Sequence, residues 1–265
     1  MTKLLHADMT SQIIGVYYTV YNRLSQTYPE YIFEKAMVLL LRQLGIECFR
    51  QDEYEIRYKD KRVGLQRLDI FVAGTIVIEI KVAECISPIH LAQLLSYLKV
   101  VGQEVGLLFR FGGPKPEYAR RVLTPQAWQE SVATPSVDHG NRSDLLFPEL
   151  TADIIGGAIE VFKTLGPGFI HRIYANACYH ELRLRGMDVL PRRDFHVFLD
   201  AADLGAIKLA HLQVDNRVLV FPVATSDLAQ LRIPNLKAWM RHLDIPLGIV
   251  VNFHTTRLDP LILRL

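Results

Sequence analysis

Asp69, Glu79 and Lys81 are the only charged residues in the stretch LDIFVAGTIVIEIKV, residues 68–82. A charge left unpaired in a packed sheet costs several kcal/mol, about the whole stability of a small domain. Three of them in so apolar a hairpin call for a chemical reason. Side chains alternate along a strand, so Val77, Glu79 and Lys81 share one face while Ile76, Ile78, Ile80 and Val82 share the other. Register then decides where Asp69 points. A two-residue turn at Ala73-Gly74 sets it opposite Ile78, on the wrong face, whereas a three-residue loop, Ala73–Thr75, sets it opposite Glu79. The second register is the expected one, with the glycine supplying a positive φ. Two carboxylates brought together repel unless a cation lies between them. Mg²⁺ suits such a pair, because it accepts one or two carboxylates and retains several waters, and an adjacent lysine can orient or deprotonate one of those waters. An isolated Glu-x-Lys is as often a surface ion pair. The apolar opposite face and the aspartate on the paired strand favour the buried cluster.

The flanking sequence supplies elements to hold that hairpin. An amphipathic helix is expected over about 30–44, ending at Gly45, which suits a left-handed cap. Strands follow near 46–58, 64–72 and 75–82. Ser87-Pro88 is an N-cap and first-turn pair for a second helix reaching about 101, with Leu91, Leu94, Leu95, Leu98 and Val101 at helical spacing. A last apolar strand spans 105–111. The order is α-β-β-β-α-β, an α/β fold with a mixed central sheet.

The chain then repeats itself. A shift of 141 residues lays Ile14, Gly15, Val20, Leu24, Ala36, Leu41, Arg42 and Gly45 on identical residues of the second half. From the hairpin onward a shift of 142 lays VGLLFRF (105–111) on LGIVVNF (247–253), so one residue is inserted before the second hairpin. Two tandem domains are expected, 1–123 and 151–265, joined by a connector at 124–150 that holds three prolines.

Composition sets outer limits. Half of the 265 residues are hydrophobic and 22% are charged, as in a globular protein with a substantial core. No stretch has the length of a membrane span or the form of a secretory leader, so no membrane partner is expected. Cys48, Cys85 and Cys178 lack metal-binding spacing and read as free thiols of a cytoplasmic protein. A net charge of +2 permits a nucleic-acid partner without arguing for one. Basic residues cluster at Arg57, Lys59, Lys61 and Arg62, and again at Arg183, Arg185, Arg192 and Arg193. Such clusters can follow a phosphate backbone, though a charge run is more often a solvated surface.

The ordered set Asp69, Glu79, Lys81 on a hairpin, with the QLLSYL helix at 93–98, resembles the PD-(D/E)XK nuclease superfamily, the restriction-endonuclease-like fold. More narrowly it resembles the GxxExxxY branch, whose first helix opens with Gly-x-Gly-x-x-Glu-x-x-Tyr. The resemblance implies two restriction-endonuclease-like domains and metal-dependent hydrolysis of DNA rather than RNA. It implies Mg²⁺ or Mn²⁺ held by Asp69, Glu79 and the carbonyl of Ile80, with Glu30 assisting, and Lys81 and Gln93 completing the catalytic set. The helix entry departs from the pattern in both halves. SQTYPEYIF (25–33) keeps Glu30 but lacks the glycines and tyrosine, and GPGFIHRIY (166–174) keeps Gly166, Gly168 and Tyr174 but has His171 in place of the glutamate. At the positions of Asp69, Glu79 and Lys81 the second half carries His211, Phe221 and Val223, so one active and one inactive domain are expected, paired inside one chain. The rival expectation is an inert pseudonuclease that binds nucleic acid or protein.

Overall fold

The computed structural model describes residues 5–132 and 146–265. Both halves use the same eight elements in the same order. The first half runs α1 (Ala7–Arg23), α2 (Glu30–Gln43), β1 (Cys48–Tyr58), β2 (Lys61–Val72), β3 (Ile76–Val82), α3 (Pro88–Val101), β4 (Val105–Phe111) and β5 (Glu117–Val122). After a short helix α4 (Pro125–Ser131) the second runs α5 (Pro148–Leu165), α6 (His171–Leu184), β6 (Val189–Leu199), β7 (Ala202–Val214), β8 (Val218–Val223), α7 (Ile233–His242), β9 (Leu247–Asn252) and β10 (Leu261–Arg264). The expected α-β-β-β-α-β core is present twice, framed by an additional first helix and a final edge strand. Neither end element has a turn signal as clear as Ser87-Pro88. The stretch expected as a connector opens with α4, where the Thr124 hydroxyl accepts the amide of Ala127 at 3.0 Å, and its residues 133–145 lie outside the described residues.

Each half contributes a five-stranded mixed sheet, ordered β1-β2-β3-β4-β5 and β6-β7-β8-β9-β10. In both, the second and third strands are antiparallel, the third and fourth parallel, and the fourth and fifth antiparallel. The inserted residue of the second half lies in β7, 13 residues long where β2 has 12, and the β6–β7 ladder absorbs it in register shifts at Arg192/Asp194 and His196/Phe198.

The compact units do not follow the repeat boundary. One is built on the chain up to Ile56 and from Leu65 to Val132, and the other takes Arg57–Gly64, the tip of the β1–β2 hairpin, together with the second half. In the first unit, α1 and α2 cover one sheet face. Ile13, Val16, Tyr17 and Val20 with Phe33, Met37, Val38 and Leu41 bury Ile76, Ile78, Ile80, Leu107, Phe109 and Phe111. The other face belongs to α3. Gly106 lies so close beneath Leu94 that a Cβ there would fall 2.8 Å from the leucine side chain, and Gly248 has the same relation to Met240 of α7. Equivalent glycines thus let the equivalent helix approach in both copies.

Candidate functional site

Ala73 and Gly74 take positive φ values of 49° and 66°, and the Thr75 amide donates to the Val72 carbonyl at 3.0 Å. That three-residue loop sets the β2–β3 register at Ile70↔Ile78, Phe71↔Val77 and Val72↔Ile76. One step further along the same register Asp69 stands across from Glu79, on the α3 face, as the spacing implied.

The paired ladder stops at Ile70↔Ile78, and side chains take over from there. Asp69 Oδ2 accepts the amide of Ile80 at 2.7 Å, and Glu30 Oε1, from the first turn of α2, accepts the amide of Val82 at 3.1 Å. Two carboxylates thus hold amides of β3. Glu79 is 2% exposed, and its Oε1 accepts Lys81 Nζ at 2.6 Å. Burial, then the negative charge of Glu79, pushes the Asp69 carboxyl well above its ordinary range. Burial also raises Glu79, partly offset by Lys81. At Lys81 burial alone would lower the pKa, but the charges of Glu79, Asp69 and Glu30 outweigh it and raise it. One ammonium faces three carboxylates, so the pocket has an excess of negative charge.

One neighbouring group escaped the sequence reading. Glu34 is buried, with Oε2 accepting from Arg50 and from Gln51, each at 2.9 Å, and its charge adds to the field that raises Asp69. Its signal was available: Glu34 lies at helical spacing on the stripe Phe33, Met37, Val38, Leu41, where an apolar residue belongs. Gln93, at helical spacing from Tyr97, is buried along with every residue of Ala92–Leu98. Its Nε2 donates to the Tyr97 hydroxyl at 2.6 Å, and Gln66 Nε2 donates to the same oxygen at 3.3 Å. His90, which shares helical spacing with Gln93, instead accepts the Ser87 amide at the helix start, 3.3 Å away.

The basic candidates are engaged locally. Lys59 pairs with Glu181 at 2.6 Å and Lys61 with Asp60 at 3.2 Å, while Arg57 donates to the Asp60 carbonyl at 2.8 Å. Arg192 donates twice to Gln213 Oε1, at 3.1 and 3.0 Å. Arg185 binds Glu181 Oε1 at 2.9 Å and Arg183 approaches Asp188 at 3.4 Å. Arg62 also has interaction partners, and the side chain of Arg193 lies outside the described residues. Arg57, Lys59, Lys61 and Arg62 fall in the hairpin tip that belongs to the second compact unit.

The equivalent place in the second half is aromatic. The β7–β8 register, Leu212↔Val220, puts His211 across from Phe221 at the positions of Asp69 and Glu79. Trp239, at the position of Tyr97, has its ring centroid 3.9 Å from that of His211 and 6.2 Å from that of Phe221. Pro222 stands where Ile80 donates its amide, and proline has no amide to donate. The acceptor and the donor are absent together.

Asp69 and Glu79 bring two carboxylates together, and carboxylate oxygens are the donors that suit a hard divalent cation that keeps several waters. Among the described residues no three His, Cys, Asp or Glu side chains are grouped to hold a metal ion, so any ion here would rest on two carboxylates and the main chain. No helix among the described residues is long and apolar enough to cross a membrane, and all three cysteines are free. A family model described as the PD-(D/E)XK nuclease superfamily matches residues 7–122 and, separately, 148–265. No curated protein and no solved structure matches the chain.

Proposed function

Because the chain belongs to the PD-(D/E)XK nuclease superfamily, with both halves matched, we propose that it hydrolyses phosphodiester bonds of DNA at one centre, in domain 1–123, using Mg²⁺ or Mn²⁺. The observation that carries this reading is the meeting of Asp69, Glu79 and Lys81 on one face of a buried hairpin with more carboxylates than cations. Asp69, Glu79 and the Ile80 carbonyl would hold the ion, and Glu30, which accepts the amide of Val82 at the end of β3, would assist. When bound, the ion supplies Lewis-acid stabilisation of charge on the scissile phosphate. Lys81, whose Nζ lies 2.6 Å from Glu79 Oε1, would position the attacking water or a phosphate oxygen, or take the proton of that water. Gln93, through Tyr97, fixes the polar wall on the α3 side. The residues at 211, 221 and 223 cannot hold a cation, so domain 151–265 is inactive and serves as the partner half of an intramolecular pair in a cytoplasmic enzyme.

The test is cleavage of plasmid and single-stranded DNA with Mg²⁺ or Mn²⁺, alongside calorimetric titration of each ion into wild type and Asp69→Asn. The reading requires metal-dependent cleavage and a binding isotherm that both disappear in the variant. Wild-type protein that binds nucleic acid but neither ion would establish the inert-binder alternative, which the missing glycines and tyrosine of the first helix entry favour.

A further inference from the structure

The two basic runs, 57–62 and 183–193, belong to different repeats, yet the second compact unit brings them together, because it takes the β1–β2 tip along with α6. Glu181 Oε2 accepts the Tyr58 hydroxyl at 2.7 Å and Lys59 Nζ at 2.6 Å, and Asn176 Nδ2 donates to the Val63 carbonyl at 2.7 Å. Gly64 packs so closely on Ile173 that a Cβ would fall 2.7 Å from its side chain. Tip and helix are thus fixed to each other. Together they line a cavity of about 360 Å³ with Tyr58, Asp60, Lys61, His180, Arg183 and Leu184. That volume lies at the lower end of the range for small-molecule sites.

The charges in this cavity favour an anion. Lys61 comes from the tip and Arg183 from the last turn of α6. Lys61 lies 3.2 Å from Asp60 and Arg183 lies 3.4 Å from Asp188, and all four side chains are more than half exposed. Exposed pairs of this kind are weak, so a better anion can replace the carboxylates. Glu181 does not compete for them, because Tyr58, Lys59 and Arg185 already occupy it. Burial and then the charge of Lys61 lower the pKa of His180, and Asp60 opposes them less strongly, so the field at the ring is positive. The repeat shift of 141 puts Ala202 and Leu39 at the positions of Lys61 and His180. The fold that the repeats share therefore does not require these two side chains.

We propose that this cavity binds a phosphate monoester carried on a nucleoside, with Lys61 and Arg183 on the phosphate and with His180 and Leu184 against the base. A phosphate monoester is close to dianionic at neutral pH, so one compact group replaces Asp60 on Lys61 and Asp188 on Arg183. A continuous backbone brings one charge per phosphate and would have to pass both carboxylates. A free mononucleotide and the phosphorylated end of a strand offer the same chemistry. Binding here needs neither a metal nor Asp69, so it stands apart from the cleavage reading.

The experiment is calorimetry on the full chain at low salt without divalent metal, so that nothing is cleaved. It compares deoxyadenosine monophosphate with deoxyadenosine, and a short single strand ending in a 5′- or 3′-phosphate with the same strand ending in hydroxyls. The monophosphate is expected to bind and the nucleoside is not. Lys61→Ala and Arg183→Ala should each weaken binding by about ten- to hundredfold, the effect of losing a charge-assisted hydrogen bond. Arg172→Ala, at the other end of α6, should leave binding unchanged. The altered side chains are exposed, so all three variants should keep the circular dichroism spectrum of wild type. Bound phosphate should also raise the pKa of His180 read by NMR, because it offsets Lys61. A phosphorylated strand that binds more tightly than the mononucleotide identifies strand ends as the source, and the reverse order identifies the free nucleotide. Failure of both phosphorylated ligands to bind, a nucleoside or hydroxyl-ended strand that binds as tightly as they do, or full affinity in both cavity variants would overturn the proposal.

Discussion

The hairpin of the first half and that of the second share a register, a loop length and a helix above them, yet one holds ions in waiting and the other holds rings. Asp69, Glu79, the Ile80 amide and Tyr97 have become His211, Phe221, Pro222 and Trp239. A buried carboxylate is tolerable only with donors around it, and a buried amide only with an acceptor. Once the carboxylate of Asp69 is absent, the amide it caps becomes a liability, and proline removes that amide at a point where the pairing with β7 has ended, while the pairing with β9 continues through it. The polar cluster is therefore present or absent as a set, and partial versions are the unstable ones.

The largest expected effect separates the halves by function. Asp69→Asn, Glu79→Gln and Lys81→Ala should each reduce cleavage by roughly 10²–10³-fold or more, the usual consequence of removing a group that acts on transition-state charge. His211→Ala should leave cleavage near wild type. Equal losses from both sets, measured as initial rates on DNA with saturating Mg²⁺, would end the distinction between the copies.

Stability should invert that ranking. Phe221 is fully buried against Trp239 and the core of α7, so Phe221→Ala should cost about 3–5 kcal/mol through lost burial and the cavity left behind. Asp69→Asn keeps an acceptor for the Ile80 amide while removing one of two repelling charges, so without metal it should melt above wild type. A denaturant titration of both variants in EDTA checks the pair.

The two units should also respond to pH with opposite signs. The folded-state pKa of Asp69 is raised, so the native state binds more protons than the unfolded chain, and stability falls as pH rises above about 4. At Glu181 burial acts upward, but hydrogen bonds from Lys59, Tyr58 and Arg185 outweigh it and lower the pKa. Its contribution is present at neutral pH and lost as pH falls through the carboxylate range near 4. Hydrogen exchange from pH 4 to 7 in EDTA should show β3 amides losing protection upward and those of α6 losing it downward. Added Mg²⁺ should flatten or reverse the first trend only.

Much of this was legible because it is local. Register followed from a three-residue loop and a ten-residue spacing, and α3 from Ser87-Pro88. The duplication was legible because apolar positions repeat even where identity is sparse. What escaped was set by distant partners. Glu34 stood on the apolar stripe of its helix, but its partners Arg50 and Gln51 carried no signal, and neither did the contact of Gln66 with Tyr97 beside Gln93. The basic run 57–62 was open to a phosphate track or a solvated surface, and the sequence did not show that Lys59 pairs with Glu181, 122 positions along the chain. No local pattern announces that pairing.

The smallest expected effect concerns the helix entries, where the halves differ in one buried hydroxyl and in the glycines that fold over it. Tyr174 donates to the Gly166 carbonyl at 2.7 Å and accepts the Phe169 amide at 3.2 Å, closing a loop in which Gly166 and Gly168 have φ values of 73° and 110°. Phe33 is its counterpart. The two rings stack in the same way, Phe33 on Phe111 at 4.0 Å and Tyr174 on Phe253 at 4.2 Å. The first entry has no positive-φ glycines to fold over a hydroxyl, and Gln26 ties it instead, donating to the carbonyls of Tyr21 and Leu24 at 2.9 and 3.1 Å. Tyr174→Phe should therefore cost about 1–3 kcal/mol by removing the hydroxyl that donates to the Gly166 carbonyl and accepts the Phe169 amide. Phe33→Tyr should also destabilise, by a similar amount, because its new hydroxyl enters an apolar stack. If the tyrosine were instead a catalytic feature that the first half has lost, Phe33→Tyr would raise cleavage. Unfolding midpoints and cleavage rates on the same two variants separate these outcomes, because the structural account expects two losses of stability and no gain in rate.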